Sequence, residues 1–309
     1  MQAPGDAASR REIESAILET VLYSDLFDYP LTYAEIAHYL IGVSADADMV
    51  RTLLAAPSYL NGHLRKCDSY VFARPREAIV DRRRARRASS ARLWIRARRF
   101  VRVMAILPFV RMVGITGALA MDNSAPGDDI DVMIVAASRR AWTARLFVVA
   151  LVYAGKLFGH TLCPNYVITE DALELETRDL FAAHEFAQMA PVYGFAVYDR
   201  MRQANRWVYD YLPNAYVPLR REIEVGSGFL GRAIKRVGER LLAGRLGEAL
   251  EEWEMRRKQR KFASRMTDRS RAILDRDHVK GHFEDYGVSV MELYAERLAQ
   301  FPIPNAEDA

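Results

Sequence analysis

Cysteine is nearly absent. The 309 residues hold two, Cys67 and Cys163, far apart and without metal-ligand spacing. That argues against a disulfide framework or a thiolate zinc site, and makes a reduced, cytoplasmic protein the expectation. Histidine is also scarce, with six residues. His278 and His282 have the i, i+4 spacing of a shared ligand pair, but Gly281 interrupts any helix between them. No apolar stretch reaches the roughly 18 to 20 residues of a membrane span, and the longest, Leu146 to Phe158, is cut by Gly155 and Lys156. The segment from Met1 to Arg11 is polar and mixed in charge, unlike a secretory leader. There is no Ser-His-Asp arrangement and no Walker-type phosphate loop. The stretch "GSGFLGRAIKR" contains Lys235 but follows no strand, and reads as a linker and helix start.

What is present is ordinary in bulk and uneven in detail. Half the residues are hydrophobic and 27% are charged, with a net charge of +4, a composition typical of globular proteins. Between Arg74 and Arg111 arginine dominates, opposed only by Glu77 and Asp81. Such a block suits a polyanion, either nucleic acid or a triphosphate tail; it equally suits a solvated helix face.

Three regions follow from the pattern of apolar spacing and breakers. Residues 1–75 read as three helices and a hairpin, the order of a winged helix-turn-helix. The helices are predicted over Glu12–Leu22, Thr32–Leu40 (Thr32 and Glu35 forming a capping box) and Asp46–Ala55, with a turn at Asn61-Gly62. The third helix carries Arg51 as its one cation, which is poor equipment for reading DNA. Residues 76–175 begin with a long basic helix. They continue as a strand over Val110–Thr116, a glycine turn, a strand over Ile130–Ala136, a helix over Arg139–Phe158 capped by Ser138, and a strand over Asn165–Thr169. Residues 176–309 are expected to be helical, including a charged helix over Leu246–Asp275.

The chemistry concentrates in Val113–Val135, "VGITGALAMDNSAPGDDIDVMIV". Residues two apart on a strand share a face, so Asp129 and Asp131 stand about 7 Å apart at Cα, and their carboxylates can converge on a divalent cation. Ile130, Val132 and Ile134 then point into a core. Mg²⁺ favours one or two carboxylates completed by substrate phosphates and water. Ahead of this strand, Thr116-Gly117-Ala118 offers a tight turn whose freed amides can approach phosphate oxygens, with a helical turn starting near Ala118. Asp122 and Asp128 read as loop residues. Arg145, on the helix after the Asp-x-Asp strand, is placed to reach a triphosphate.

A glycine turn followed by an Asp-x-Asp strand resembles the polymerase-β-type nucleotidyltransferase superfamily, with Gly117, Ala118, Asp129 and Asp131 at the signature positions. The phrases "FDYPLT", "TGALAMDN", "DDIDVMIV" and "AHEFAQMAPVYG" are similar to bacterial nucleotidyltransferase-domain proteins with an N-terminal winged helix. The resemblance covers about Arg99 to Thr169. It implies an α/β core with a mixed sheet and flanking helices, two Mg²⁺ ions, and a nucleoside triphosphate such as ATP attacked at its α-phosphate by an acceptor hydroxyl. Two departures stand out. Ala118 replaces the serine usual after the glycine, and Asn165 occupies the position of the third carboxylate. Glu185, Glu170 and Asp171 are the acids able to substitute. The rival reading is a weak or inactive nucleotide-sensing regulator, of winged-helix or antitoxin-like type, acting on nucleic acid or a protein partner.

Overall fold

Ser9 opens the first helix, α1 (Arg10–Asp25), through a reciprocal capping box with Glu12. The computed structural model describes residues 9–156, 162–219, 222–263, 272–281 and 286–301. Thr32 and Glu35 form the predicted capping box at α2 (Tyr33–His38), and Asp46 caps α3 (Ala47–Ala55). The turn expected at Asn61-Gly62 is instead a short helix, α4 (Leu60–His63), because the Asn61 side chain accepts from the Ser58 amide at 3.0 Å and closes a helical turn. The hairpin of β1 (Leu64–Cys67) and β2 (Tyr70–Ala73) reverses at Asp68, whose φ is +53°. Aspartate tolerates this conformation better than most side chains.

The basic helix α5 (Ala78–Met104) is fastened to these elements by arginine–carboxylate pairs. Arg83 grips Glu35 with two bonds of 2.6 and 2.9 Å, its guanidinium lying between the rings of Tyr29 and Tyr70. Arg76, Arg82 and Arg86 converge on Asp28.

A mixed six-stranded sheet forms the centre. In spatial order it runs β6 (Ala190–Tyr193), β3 (Val110–Ile115), β4 (Ile130–Ala136), β5 (Leu162–Thr169), β8 (His278–Lys280) and β7 (Ile273–Leu274). Only β4 and β5 are parallel; the other pairs are antiparallel. Three of these strands come from the part expected to be helical throughout. β6 contains Pro191, and β7 and β8 are two and three residues long, too short to carry an alternation. The helix expected over Leu246–Asp275 ends early, as α12 (Arg245–Phe262). Between Phe195 and Tyr211 the chain winds as two helices, α9 (Phe195–Ala204) and α10 (Val208–Tyr211). Buried Asn205 parts them, spending its side chain on Leu173 O, Met201 O and the Leu175 amide.

Alternation along the strands supplies two cores. Met112, Met133, Val135 and Ile168 face α1–α3, α8 (Leu180–Gln188), α9, α10 and α13 (Tyr286–Ala299). Val113, Ile115, Ile130, Val132, Ile134 and Val167 face α5, α7 (Ala141–Lys156) and α12. The first and last helices meet: Tyr294 donates to Glu19 O at 3.2 Å, and Arg297 pairs with Asp25 at 2.7 Å. α11 (Gly228–Leu241) lies where Gly231 and Gly238 admit Ile106 and Pro108. Among the described residues no helix is long and apolar enough to cross a membrane.

The predicted Ser138 cap of α7 is supplanted. Glu251, buried on α12, accepts from the amides of Trp142 at 2.9 Å and Thr143 at 2.7 Å, and from the Thr143 hydroxyl at 2.6 Å. A carboxylate at a helix N-terminus also meets the positive end of the helix dipole. Glu251→Ala is expected to cost about 2 kcal/mol by orphaning buried donors, measured as a shift in urea midpoint. An unchanged midpoint would show that α7 finds its cap elsewhere.

Candidate functional site

The glycine turn and the Asp-x-Asp strand are neighbours in the sheet. β3 ends beside β4, and the Thr116 amide donates to Asp131 O at 3.1 Å. Gly117 has φ +63°, and a Cβ there would fall 2.7 Å from Asp131 Oδ2. Glycine is therefore required twice, for the left-handed backbone and for the space the carboxylate occupies. The following helix, α6 (Gly117–Ala120), is one turn and lacks the length for an appreciable dipole.

Asp129 and Asp131 turn to the same side, as their spacing predicts, while Ile130, Val132 and Ile134 enter the core behind them. Donor atoms of Asp129, Asp131 and Cys163 all lie within 4.8 Å of one another. Among the described residues neither aspartate has an ion-pair partner. Burial, and then the charges of Asp129 and Asp128, push the Asp131 carboxyl up to about 6 against the hydrogen bond from Asn165. Two oxygen donors of like charge, close together and unneutralised, fit a hard divalent cation. Cys163 does not. Its thiol is pushed up to about 11, by burial first and by the two aspartates second, so it stays protonated and donates to Asn165 Oδ1 at 2.9 Å.

Asn165 owes its place to a bulge. Val132 pairs with Pro164 and Met133 with Tyr166, so Asn165 is the unpaired extra residue of β5. A bulge re-aims the side chain it carries. Here the amide nitrogen donates to Asp131 Oδ1 at 2.6 Å. The amide nitrogen, and not the carbonyl oxygen that could ligate a cation, faces the aspartate.

Asp131 and Asn165 form part of the wall of a cleft of about 1390 Å³, whose lining does not include Asp129 or Cys163. Thr116, Gly117, Ala118, Asp131 and Asn165 line it from the sheet side, Tyr23 from α1, Phe27 from the turn after it, and Glu185 from α8. Glu185 stands close enough to Asp131 to feel its charge. Burial first and that charge second raise its carboxyl to about 7, opposed by Lys280. Lys280, on β8, is the one basic side chain among the described residues of the lining, which also holds Glu176 and Asp179. Sequence reasoning missed it because a three-residue strand leaves no periodic signal.

Other expected residues lie elsewhere. Arg145 is absent from the lining. It packs from α7 toward α12, where burial lowers its pKa, Glu254 opposes that shift and Nη1 has no hydrogen-bond partner. The helix bearing Arg145 packs on the sheet face opposite Asp131, and the arginine's charge is felt at Cys163, outside the cleft lining. Glu170 is held outside by Arg200 at 2.9 Å and Arg111 at 3.8 Å, and Asp171 is exposed. Asp122 accepts from Trp94 Nε1 at 2.8 Å, and Asp128 from the Ala125 amide at 2.7 Å, both as loop-holding residues. His184 is 2% exposed and stacks on Tyr23 at 4.0 Å, clear of the cleft lining. His282 lies outside the described residues; His278 instead approaches Asp275 at 3.2 Å and Glu176 at 3.8 Å.

Comparison with known proteins returns no match: no family model, no curated protein and no solved structure is detectably similar to this chain.

Gly117→Ala is expected to destabilise the fold by about 2 kcal/mol, since an L side chain resists this φ, and to displace the Asp131 carboxylate. Mg²⁺ titration followed by calorimetry checks the second effect. Unchanged cation affinity would separate Gly117 from the site.

Proposed function

We propose that the chain is a Mg²⁺-dependent nucleotidyltransferase with a polymerase-β-type core, an N-terminal winged helix and a helical C-terminal region. The observation that carries this reading is the unneutralised Asp129/Asp131 pair, of which Asp131 packs against the glycine turn and lines a cleft large enough for a nucleotide and its acceptor. Asp129 and Asp131 would hold the cation. When bound, Mg²⁺ would neutralise charge on the phosphates and on the attacking and leaving oxygens. A cleft whose described charges are mostly acidic admits a triphosphate only with such neutralisation.

The backbone at Thr116, Gly117 and Ala118 lies against the phosphates, and Lys280 supplies the cation that Arg145 does not. The acceptor oxygen bonds to the α-phosphorus, the bond from that phosphorus to the bridging oxygen breaks, and pyrophosphate leaves. The hydroxyl proton passes to Glu185, whose raised pKa suits a general base near neutrality. Asn165, an amide, cannot take that role.

One observation favours the second reading, a nucleotide-sensing regulator without turnover. The Asn165 amide already occupies Asp131 Oδ1, where a third acid would help bind metal. The discriminating experiment incubates the protein with each radiolabelled nucleoside triphosphate and Mg²⁺ and follows both pyrophosphate release and melting temperature. Release together with a Mg²⁺-dependent melting rise supports transfer. A rise without release supports the sensor, and neither response with any nucleotide removes both readings.

A further inference from the structure

From Arg82 to Met121 the chain has 40 residues without a single acid and with eleven arginines. The structure divides the ten of these on α5 into two sets. Arg82, Arg83, Arg84, Arg86 and Arg98 are spent on Asp28, Glu35, Asp68 with Asp81, Asp28 again, and Glu222. Arg87, Arg92, Arg96, Arg99 and Arg102 are all exposed, and among the described residues none has an ion pair or hydrogen bond.

At 100° per residue these five lie within about half the helix circumference, and at 1.5 Å rise they extend along about 22 Å. Arg92 and Arg96 stand at i, i+4 spacing; Arg96, Arg99 and Arg102 follow at i, i+3. Such like-charged neighbours repel one another and weaken the helix. On the opposite side Trp94, Ala97, Val101 and Met104 are buried in the sheet's core, and Ser90 Oγ accepts from the Ser124 amide. The apolar half of α5 is therefore used inside the fold, and its outer half is a row of cations.

We propose that this outer face binds the phosphate backbone of a nucleic-acid strand. A linear array of forked cations matches a linear array of phosphates, and each guanidinium can take a phosphate through two bonds. A membrane surface fits less well, because the face offers only Ile95 and Val103 as apolar contacts and the helix has no free apolar side to bury in lipid. Arg86, one residue before the first free arginine, donates to Asn123 of the cleft lining at 3.3 Å. The assignment rests on the arginines alone and is independent of the reaction assigned to the cleft.

Fluorescence anisotropy with labelled 20-nucleotide RNA and DNA single strands tests it, using the full chain without nucleotide, between 50 and 200 mM salt. Five phosphate contacts predict a slope of about −3.5 in log K against log salt. Arg92→Gln/Arg96→Gln/Arg99→Gln should reduce that slope by about 2 and weaken binding about 100-fold at 0.1 M salt. The same variant should melt no lower than the wild type, since it relieves repulsion along α5, and should keep any rise with Mg²⁺ and triphosphate.

Failure of the wild type to bind either strand at 50 mM salt would overturn the proposal, as would a variant with unchanged affinity and slope. Sedimentation with phosphatidylserine vesicles, lost in the variant while strands do not bind, would also overturn it in favour of lipid. Strand binding without any nucleotide response would leave this face assigned and remove the proposed reaction. A nucleotide response without strand binding would do the reverse.

Discussion

Asp131→Asn is expected to raise the melting temperature of the nucleotide-free protein while abolishing the Mg²⁺-dependent rise that a triphosphate produces. The two effects have one cause. In the free protein the Asp131 carboxylate is partly buried beside Asp129, without a cation among the described residues, so its charge opposes folding. Asparagine has nearly the same shape, can still accept from the Asn165 amide and leaves Gly117 undisturbed. Removing the charge therefore relieves repulsion at no packing cost.

The same charge is what a divalent cation would bind. A ligand at one hundred times its dissociation constant stabilises by about 2.7 kcal/mol, a rise of several degrees that the variant should lack. Turnover should fall by at least 10² to 10³, the order of magnitude for losing one electrostatic contact to a transition state. Scanning calorimetry with and without Mg²⁺ and nucleotide reads both effects. A lowered melting temperature in the free variant would mean that the carboxylate holds the fold together. A retained nucleotide rise would mean that the cation, if any, binds elsewhere.

The sequence made one part of this site legible and hid the rest, for physical reasons. Alternation around Asp129 and Asp131 is a period-two signal over seven residues, long enough to place both carboxylates on one face and their isoleucine and valine neighbours in the core. The glycine turn was readable because few side chains tolerate φ +63°. The winding of α2 was announced by the capping box of Thr32 and Glu35, and that of α1 by apolar residues at helical spacing. By contrast, Asn165 reaches Asp131 through an extra residue in β5, and a bulge in a parallel pair leaves no mark in the apolar pattern. Lys280 arrives on a strand of three residues from more than one hundred positions downstream. Arg145 was misplaced because a helix following a strand can lie on either face of the sheet, and only the packing of Ala144 and Val148 against Ile134's side of the core decides which.

Glu185 shows how position on a helix separates adjacent roles. Neighbouring helical residues point about 100° apart, so Glu185 turns into the cleft while His184 turns into the core between α1, α2 and α8. Access to the cleft and the integrity of the N-terminal module thus hang on one helix. Its buried side carries a liability that acid should expose.

Between pH about 6.5 and 4.5, His184→Phe is expected to gain stability on the wild type by about 1.4 kcal/mol for each unit the pH falls. His184 has no hydrogen-bond partner at either ring nitrogen, and His38 has none at Nε2. Burial, and the proximity of His38, lower His184 to about 3; burial lowers His38 to about 4, opposed by Glu35. The remaining neighbours, Tyr23 and Tyr39, are uncharged rings whose hydroxyls burial holds well above their usual range. An imidazole in the unfolded chain titrates near 6.5. Below that pH the unfolded state binds protons that the folded state refuses, so each histidine removes about 1.4 kcal/mol per pH unit until its folded pKa is reached.

Two histidines across two units therefore remove about 5 kcal/mol, a large share of the roughly 5 to 15 kcal/mol that holds a typical domain. Asp131 and Glu185 act in the opposite sense, since carboxyls raised to about 6 and about 7 are less of a burden once protonated. The wild-type slope is thus a difference of two trends, and the variants are needed to isolate one. Phenylalanine keeps the stack on Tyr23 and cannot take a proton, so urea midpoints of wild type and His184→Phe should agree near pH 7.5 and diverge in acid. Adding His38→Gln should raise the acid limb of the curve further. Parallel curves for all three proteins would place the acid response in the carboxylates and leave the two imidazoles as inert packing.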